Sequence, residues 1–335
     1  MPHRPTPSCP PTGGLRLWLL LWLLVGLGAC GRPPAVEPLR IGINPWPGYE
    51  LIHVAQEQGY FDAEGLTVEI VELSSLGDSR RAFERGQTDI FGATPAELLF
   101  SQENAPRQAQ AFYLMDYSAG ADVIVGRPSI ATLADLRGRR VGAEPASMDL
   151  ALLTFALQSA GLSLSDVNLV PIQQNSLLHV LRDGQLDAAV SYPPYSQEIQ
   201  RLNLARPIFD SLAIPGRIVD FLAADARLLN QRPDDFKALV RALDRARLFI
   251  EQHPDQAYPG MAQREQVSLD ELRDAMSGIR LIPLNEQGAF FGGQGTFTET
   301  LSVTAATLRQ AGLLSRRHSP EALQNPAIVA REARP

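Results

Sequence analysis

Lysine is almost absent from this chain. Lys237 is the single lysine among 335 residues, and every other cationic side chain is an arginine. Thirty basic against 37 acidic residues leave a net charge of −7, which argues against a broad basic face for nucleic acid. Cysteine is nearly missing as well, with only Cys9 and Cys30. That excludes a disulfide framework and any cysteine-based metal site. The five histidines (His3, His53, His179, His253 and His318) are scattered, with no HExxH and no second ligand at helical spacing. His53 and His179 read as ordinary helix residues. The run Phe291-Gly292-Gly293-Gln294-Gly295 lacks the Gly-Lys-Ser/Thr ending of a phosphate loop, and no Gly-x-Ser-x-Gly elbow occurs. Neither a metal, a cofactor nor an enzymatic activity is expected.

No apolar run reaches the length of a membrane span. Leu17 to Gly28, LWLLLWLLVGLG, holds about 12 residues where a hydrocarbon core needs about 20. With Arg4 and Arg16 before it and small residues after it, the run reads as an export signal over residues 1–29. Leu27-Gly28-Ala29-Cys30 resembles the lipobox of bacterial lipoproteins, in which cleavage leaves the cysteine first and its thiol carries a diacylglyceryl group. A plain signal peptide with an incidental cysteine is the alternative. Two or three acyl chains at ~0.8 kcal/mol per buried CH₂ would anchor the chain durably. Residues 30–38, rich in proline, then form a stiff tether. This reading places the protein in the periplasm or on the cell surface, lipid-anchored to a bacterial membrane.

What remains is of ordinary globular composition, 45% apolar and 20% charged, and long enough for two domains. Short apolar strands alternate with amphipathic helices, the pattern of parallel sheets with covered faces. One phrase occurs twice: ERGQTDIFGATP from Glu84 to Pro95 and RDGQLDAAVSYPP from Arg182 to Pro194. Each copy ends a helix at a glycine, turns, and runs a buried strand to a proline. The repeat therefore marks two similar α/β units. Two longer strand-like segments, near residues 118 and 218, link them. This predicts one lobe from 39–117 plus 221–318, a second lobe from 118–220, and a loosely ordered tail over 319–335.

In open α/β sheets ligands bind outside the carboxyl ends of the strands. The repeated glycines and aspartates lie at the amino ends, so they are scaffold. The divergent ends carry the candidate site: Asn44, Trp46 and Tyr49, then Ser74 and Ser75, Thr94, Ser147 and Tyr192. The hydroxyls either cap their own helices or face a ligand, and converging helix N-termini favour polar groups. Pro45 and Pro47 stop regular pairing and present Trp46 on a rigid loop. Tyr117 adds aromatic surface. Asp220 either accepts an N–H from a ligand or bonds to the crossing backbone. Glu97, Asp116, Glu144 and Asp220 make the cleft acidic, with Arg80, Arg81 and Arg217 nearby. With the aromatics this favours an amine or a heteroaromatic ring such as a thiamine precursor, and a sulfonate-, taurine- or nitrate-type ligand stays the alternative.

The segments IGINPWPGYELIHVAQEQGYFDAEGLTVEIVELSS, RRAFERGQTDIFGATPAELL and GRIVDFLAAD resemble solute-binding proteins of ABC importers, in the nitrate/sulfonate/taurine and pyrimidine-precursor group. The resemblance covers about Leu39 to Leu314. It implies a type 2 periplasmic-binding-protein fold, with two α/β lobes joined by two crossover strands and C-terminal helices on the first lobe. It also implies a small-molecule ligand held between the lobes, with a permease and an ATPase subunit as partners. Two alternatives stand beside transport. One is a ligand sensor signalling to a membrane kinase. The other is synthesis of a thiamine pyrimidine, for which the cysteine-rich iron-binding motif is lacking.

Overall fold

In chain order the strands are β1 (Leu39–Ile43), β2 (Val68–Glu72), β3 (Ile90–Ala93), β4 (Ala109–Ser118), β5 (Val123–Gly126) and β6 (Arg140–Ala143). They continue as β7 (Asn168–Pro171), β8 (Ala188–Ser191), β9 (Arg206–Asp210), β10 (Val219–Asp225) and β11 (Ile279–Leu281). The computed structural model describes residues 1, 3–6, 37–104, 107–291 and 295–330. Residues 1–37 form a separate unit. The expected signal peptide, Cys30, the tether as far as Val36 and the run Gly292 to Gln294 lie outside the described residues.

From Pro38 onward the chain forms a unit with two sheets, ordered β11-β4-β10-β3-β1-β2 and β7-β6-β8-β5-β9. The chain leaves the first sheet at the end of β4 and enters the second at β5. It returns from β9 to β10. In each sheet three neighbours are parallel, β2-β1-β3 in one and β7-β6-β8 in the other. The sheets are nonetheless mixed, where the alternating pattern predicts parallel pairing throughout. The crossings cause this: β10 returns antiparallel to both β3 and β4, and β5 enters antiparallel to both β8 and β9.

The sequence repeat has one physical meaning in both lobes. Gly86 and Gly184 adopt φ of 74° and 72°, a left-handed turn that ends the preceding helix. Gln87 N–H then reaches back to Ala82 O at 2.9 Å, and Gln185 N–H to Val180 O at 3.1 Å. Asp89 accepts the Arg40 backbone N–H at 3.1 Å and its guanidinium at 2.8 and 3.0 Å. Asp187 does the same for Arg140, at 2.9 Å from the backbone and 2.9 and 3.1 Å from the side chain. Each aspartate thus pins the strand after the turn to its parallel neighbour, β3 to β1 and β8 to β6. Both clamps sit at the amino ends.

The helix Pro233–Gln252 packs on Glu50–Glu57 and Tyr60–Ala63 of the first lobe. The helix Thr296–Gln310 touches Pro95–Asn104 of the first lobe and also Met148–Ser159 of the second. It therefore bridges the lobes. The stretch after Ser319, expected to be loose, is packed as far as Ala330. Leu323, Ile328 and Val329 are buried, and Gln324 bridges to Ala111 of β4 and donates to Thr298 Oγ1 at 2.8 Å. Three apolar side chains find a surface on an edge of the first lobe, which polarity and terminal position did not foretell.

Candidate functional site: the cleft between the lobes

The loop after β1 is built around Trp46. Its backbone is extended (φ −169°, ψ 122°) between two prolines, and Pro47–Tyr49 then make one 3₁₀ turn. This turns the indole inward, where it is buried. Its Nε1–H points between the two oxygens of Asp116, 3.3 Å from each. Gly48 makes that approach possible, because a Cβ there would collide with both the carboxylate and the indole. Tyr49 lies against Gly92 of β3, where a Cβ would come within 2.8 Å of the ring, and donates its hydroxyl to Asp220 Oδ1 at 2.7 Å. From the second lobe, Tyr192 meets the Trp46 ring edge-on, with centroids 6.1 Å apart at 82°.

These groups enclose an inner pocket. Asn44, Trp46, Tyr49 and Asp220 face Asp122, just before β5, and Tyr192, just after β8. The free space is about 10 Å³, room for one water-sized group. Three of its polar atoms are buried without any hydrogen-bond partner: Asn44 Oδ1, Asp122 Oδ2 and the Tyr192 hydroxyl. Unpaired buried polar atoms cost about 1–3 kcal/mol each, so native structures keep few of them without a reason.

The electrostatics are one-sided. Asp122 is 2% exposed, and burial, then the charge of Glu97, pushes its carboxyl up to about 7 against the donor Ser118. Asp116 and Asp220 are raised well above the usual carboxylate range. Burial is the chief cause for both, followed for Asp220 by the charges of Asp116 and Asp122. No arginine or lysine lines the inner pocket. Its carboxylates are offset only by the neutral donors Trp46, Tyr49 and Ser118. Among the described residues no group of three or more His, Cys, Asp or Glu is arranged to hold a metal ion.

On the far side of Trp46 lies an outer chamber of about 310 Å³, which shares Asn44, Trp46 and Tyr49 with the inner pocket. Its second-lobe wall is Asn175 and Tyr195, and its first-lobe wall includes Glu50, His53 and Glu265. Burial raises Glu50 to about 7 and Glu265 to about 8, and it lowers His53. At the lips the lobes touch directly. Ser75 Oγ donates to Glu144 at 2.7 Å, Arg81 reaches the same carboxylate at 3.3 Å, and Gln173 donates to Asp78 at 3.0 Å. Deeper in, Glu97 accepts the Met148 N–H at 2.6 Å.

Six of the ten expected ligand-binding residues meet at the inner pocket: Asn44, Trp46, Tyr49, Thr94, Tyr192 and Asp220. Ser74 is exposed and stands at the outer chamber. Ser75 caps the helix Leu76–Glu84 through Asp78 N at 3.2 Å and joins the lip contact. Ser147 is spent as a cap, accepting from Asp149 N at 3.2 Å and donating to Glu144 O at 3.1 Å. Tyr117 stands apart from both cavities, its hydroxyl taken by Arg280 Nη1 at 2.6 Å. Asp122 and Glu265 were not anticipated. Asp122 carried a signal, a lone carboxylate entering the apolar run AspValIleValGly; Glu265 carried none.

A family model described as NMT1/THI5 like matches residues 46–257, well over half of the chain. The chain belongs to the NMT1/THI5-like family. A Haemophilus influenzae protein named "Putative thiamine biosynthesis protein" is 25% identical to this family member over 217 residues, spanning 63% of the chain and 68% of the relative. Among solved structures, the alkanesulfonate-binding protein SsuA from Xanthomonas axonopodis pv. citri, bound to MOPS, superposes with a TM-score of 0.75 at 18% identity. The match covers 87% of this chain and all (100%) of SsuA. The desulfurization enzyme DSZB superposes with a TM-score of 0.63 at 20% identity, over 87% of this chain and 98% of DSZB. The NMT1/THI5-like chain therefore has the periplasmic-binding-protein fold of SsuA. One fold carrying a binder and an enzyme leaves function to be argued from the site.

Proposed function

We propose that this protein is the extracytoplasmic solute-binding component of an ABC importer, and that its ligand is a small organic molecule presenting N–H donors or positive charge. A protonated amine or an amino-substituted heteroaromatic ring, of the thiamine-precursor kind suggested by the Haemophilus relative's name, fits this description. The observation that carries the reading is the inner pocket, in which the unpaired acceptors Asn44 Oδ1 and Asp122 Oδ2 stand with Asp220 and no cation lines the wall to balance them. A sulfonate there would face Asp122 and Asp220 with no arginine or lysine in the lining to offset their charge. Two arginines of the cleft are paired with carboxylates, Arg81 with Asp78 and Glu144 and Arg264 with Glu50 and Glu57. Anchoring through Cys30 rests on the lipobox, and membrane fractionation of Cys30→Ser checks it, release into the soluble fraction being expected.

The test of the ligand reading is thermal denaturation against matched amines and sulfonates built on the same alkyl and aryl skeletons. A ligand at a hundredfold excess over its Kd adds about 2.7 kcal/mol, a rise of several degrees in Tm. Amines or amino-heteroaromatics should give that rise and sulfonates none. Stabilisation by sulfonates alone would reverse the assignment. Sensing for a membrane kinase would use the same capture step, and no observation favours it.

A further inference from the structure

The outer chamber has its own unanswered acceptor. Glu265, at the end of the helix Pro254–Glu265, is only 7% exposed. Its Oε1 accepts the Trp46 backbone N–H at 3.0 Å, while Oε2 is buried with no partner. The neighbouring Arg264 is engaged elsewhere: its Nε donates to Glu50 at 2.7 Å and its Nη1 to Glu57, while its Nη2 lies 2.6 Å from Glu50 as an ion pair without a hydrogen bond of its own. Glu72, 74% exposed, adds a further carboxylate at the mouth, near His53. The chamber thus combines a buried half-satisfied carboxylate, an excess of negative charge and the Tyr195 ring on the opposite wall.

Size separates the two spaces. The inner pocket admits a single small head group, whereas about 310 Å³ lies within the usual range for a small-molecule site. Asn44, Trp46 and Tyr49 line both spaces, which therefore abut on the two sides of these side chains.

We propose that the outer chamber is a second subsite, in which Glu265 Oε2 receives a second protonated amine of the same ligand. The inference rests on the reading of the inner pocket given above, and it narrows the ligand to a molecule with nitrogen donors at two ends. The ligand's body fills the chamber against Tyr195, and its two ends meet Asp122 with Asp220 on one side and Glu265 on the other.

Isothermal titration at pH 8 with paired probes tests this: alkylamines against α,ω-diaminoalkanes of three to eight carbons, and benzylamine against 1,4-bis(aminomethyl)benzene. At one spacing the diamine should bind at least tenfold tighter than its monoamine. Glu265→Gln, which keeps an acceptor for Trp46 N–H, should bring that ratio close to one. Asp122→Asn should weaken both partners alike and leave the ratio standing. Should Glu265→Gln fail to fold, Glu265→Asp is expected to move the preferred spacing to a longer diamine. Monoamine binding with a ratio near one at every length would overturn the second subsite and leave the inner-pocket reading intact. A ratio that survives Glu265→Gln would overturn it too. Failure of every amine to bind would remove both.

Discussion

Asp220→Asn is expected to weaken binding of a protonated amine by on the order of a hundredfold at pH 8, and at the same time to raise the Tm of the ligand-free protein. The two effects have one cause. Asp220 is a buried carboxyl facing Asp116 and Asp122, held by the Tyr49 hydroxyl at 2.7 Å. Burial and its acidic neighbours disfavour its charge, so at pH 8 the fold carries a cost that an amide does not incur. Asparagine keeps an acceptor for Tyr49 and removes the repulsion. A bound cation inverts the balance, since deleting one partner of a buried ion pair typically costs about 3–5 kcal/mol, and 1.4 kcal/mol is a factor of about ten in Kd. Titration calorimetry and thermal denaturation of one preparation read both quantities. A residue important only for packing would lose stability and affinity together, and that joint loss would count against a ligand role for Asp220.

Affinity for the same amine should climb steeply with pH between about 5 and 8. Asp122 and Glu50 have pKa values raised to about 7 and Glu265 to about 8, while Asp116 and Asp220 are raised further than ordinary carboxyls by burial. At low pH these groups hold protons that a cation must displace, so each proton released contributes about tenfold in affinity per pH unit. An alkylamine, titrating like a lysine near 10, stays charged throughout. The sign for folding is opposite. Because the folded pKa values lie above the unfolded ones, the associated stability is complete below about pH 4 and drains away as pH rises through about 7 and 8. Ligand-free Tm should therefore fall across this window, and saturating amine should flatten the fall. Calorimetry in two buffers of different ionisation heat counts the protons released. A flat profile, with none released, would contradict the site's charge logic.

Much of this arrangement could be read from the chain because the informative residues are local. The repeated Gly-Gln-x-Asp phrase marks a left-handed glycine turn, which recurs at Gly86 and Gly184, whereas the arginine clamps on Asp89 and Asp187 show only in the fold. Prolines on either side of Trp46 are enough to take that residue out of the sheet. The tertiary pairings were not legible. Tyr117 and Asp116 are neighbours in β4, yet their side chains differ in fate: Asp116 is buried behind Trp46, whereas Tyr117 meets Arg280 across β11. Nothing in sequence spacing tells which of the two faces the cleft. Glu265 lies 219 residues from the Trp46 N–H that it accepts, so only the folded chain brings them together. Ser147 illustrates the converse: cap chemistry was visible, and the cap consumes the hydroxyl.

The central claim is that acidic side chains deep in the interlobe cleft recognise a nitrogen donor. The most direct measurement is a crystal structure with the amine that gives the largest thermal shift. It should show the ligand's nitrogen within hydrogen-bond distance of Asp122 and Asp220, beside the Trp46 and Tyr192 rings. A ligand seated elsewhere, with Tyr49 still on Asp220 and the Asp122 carboxyl still unpaired, would contradict it.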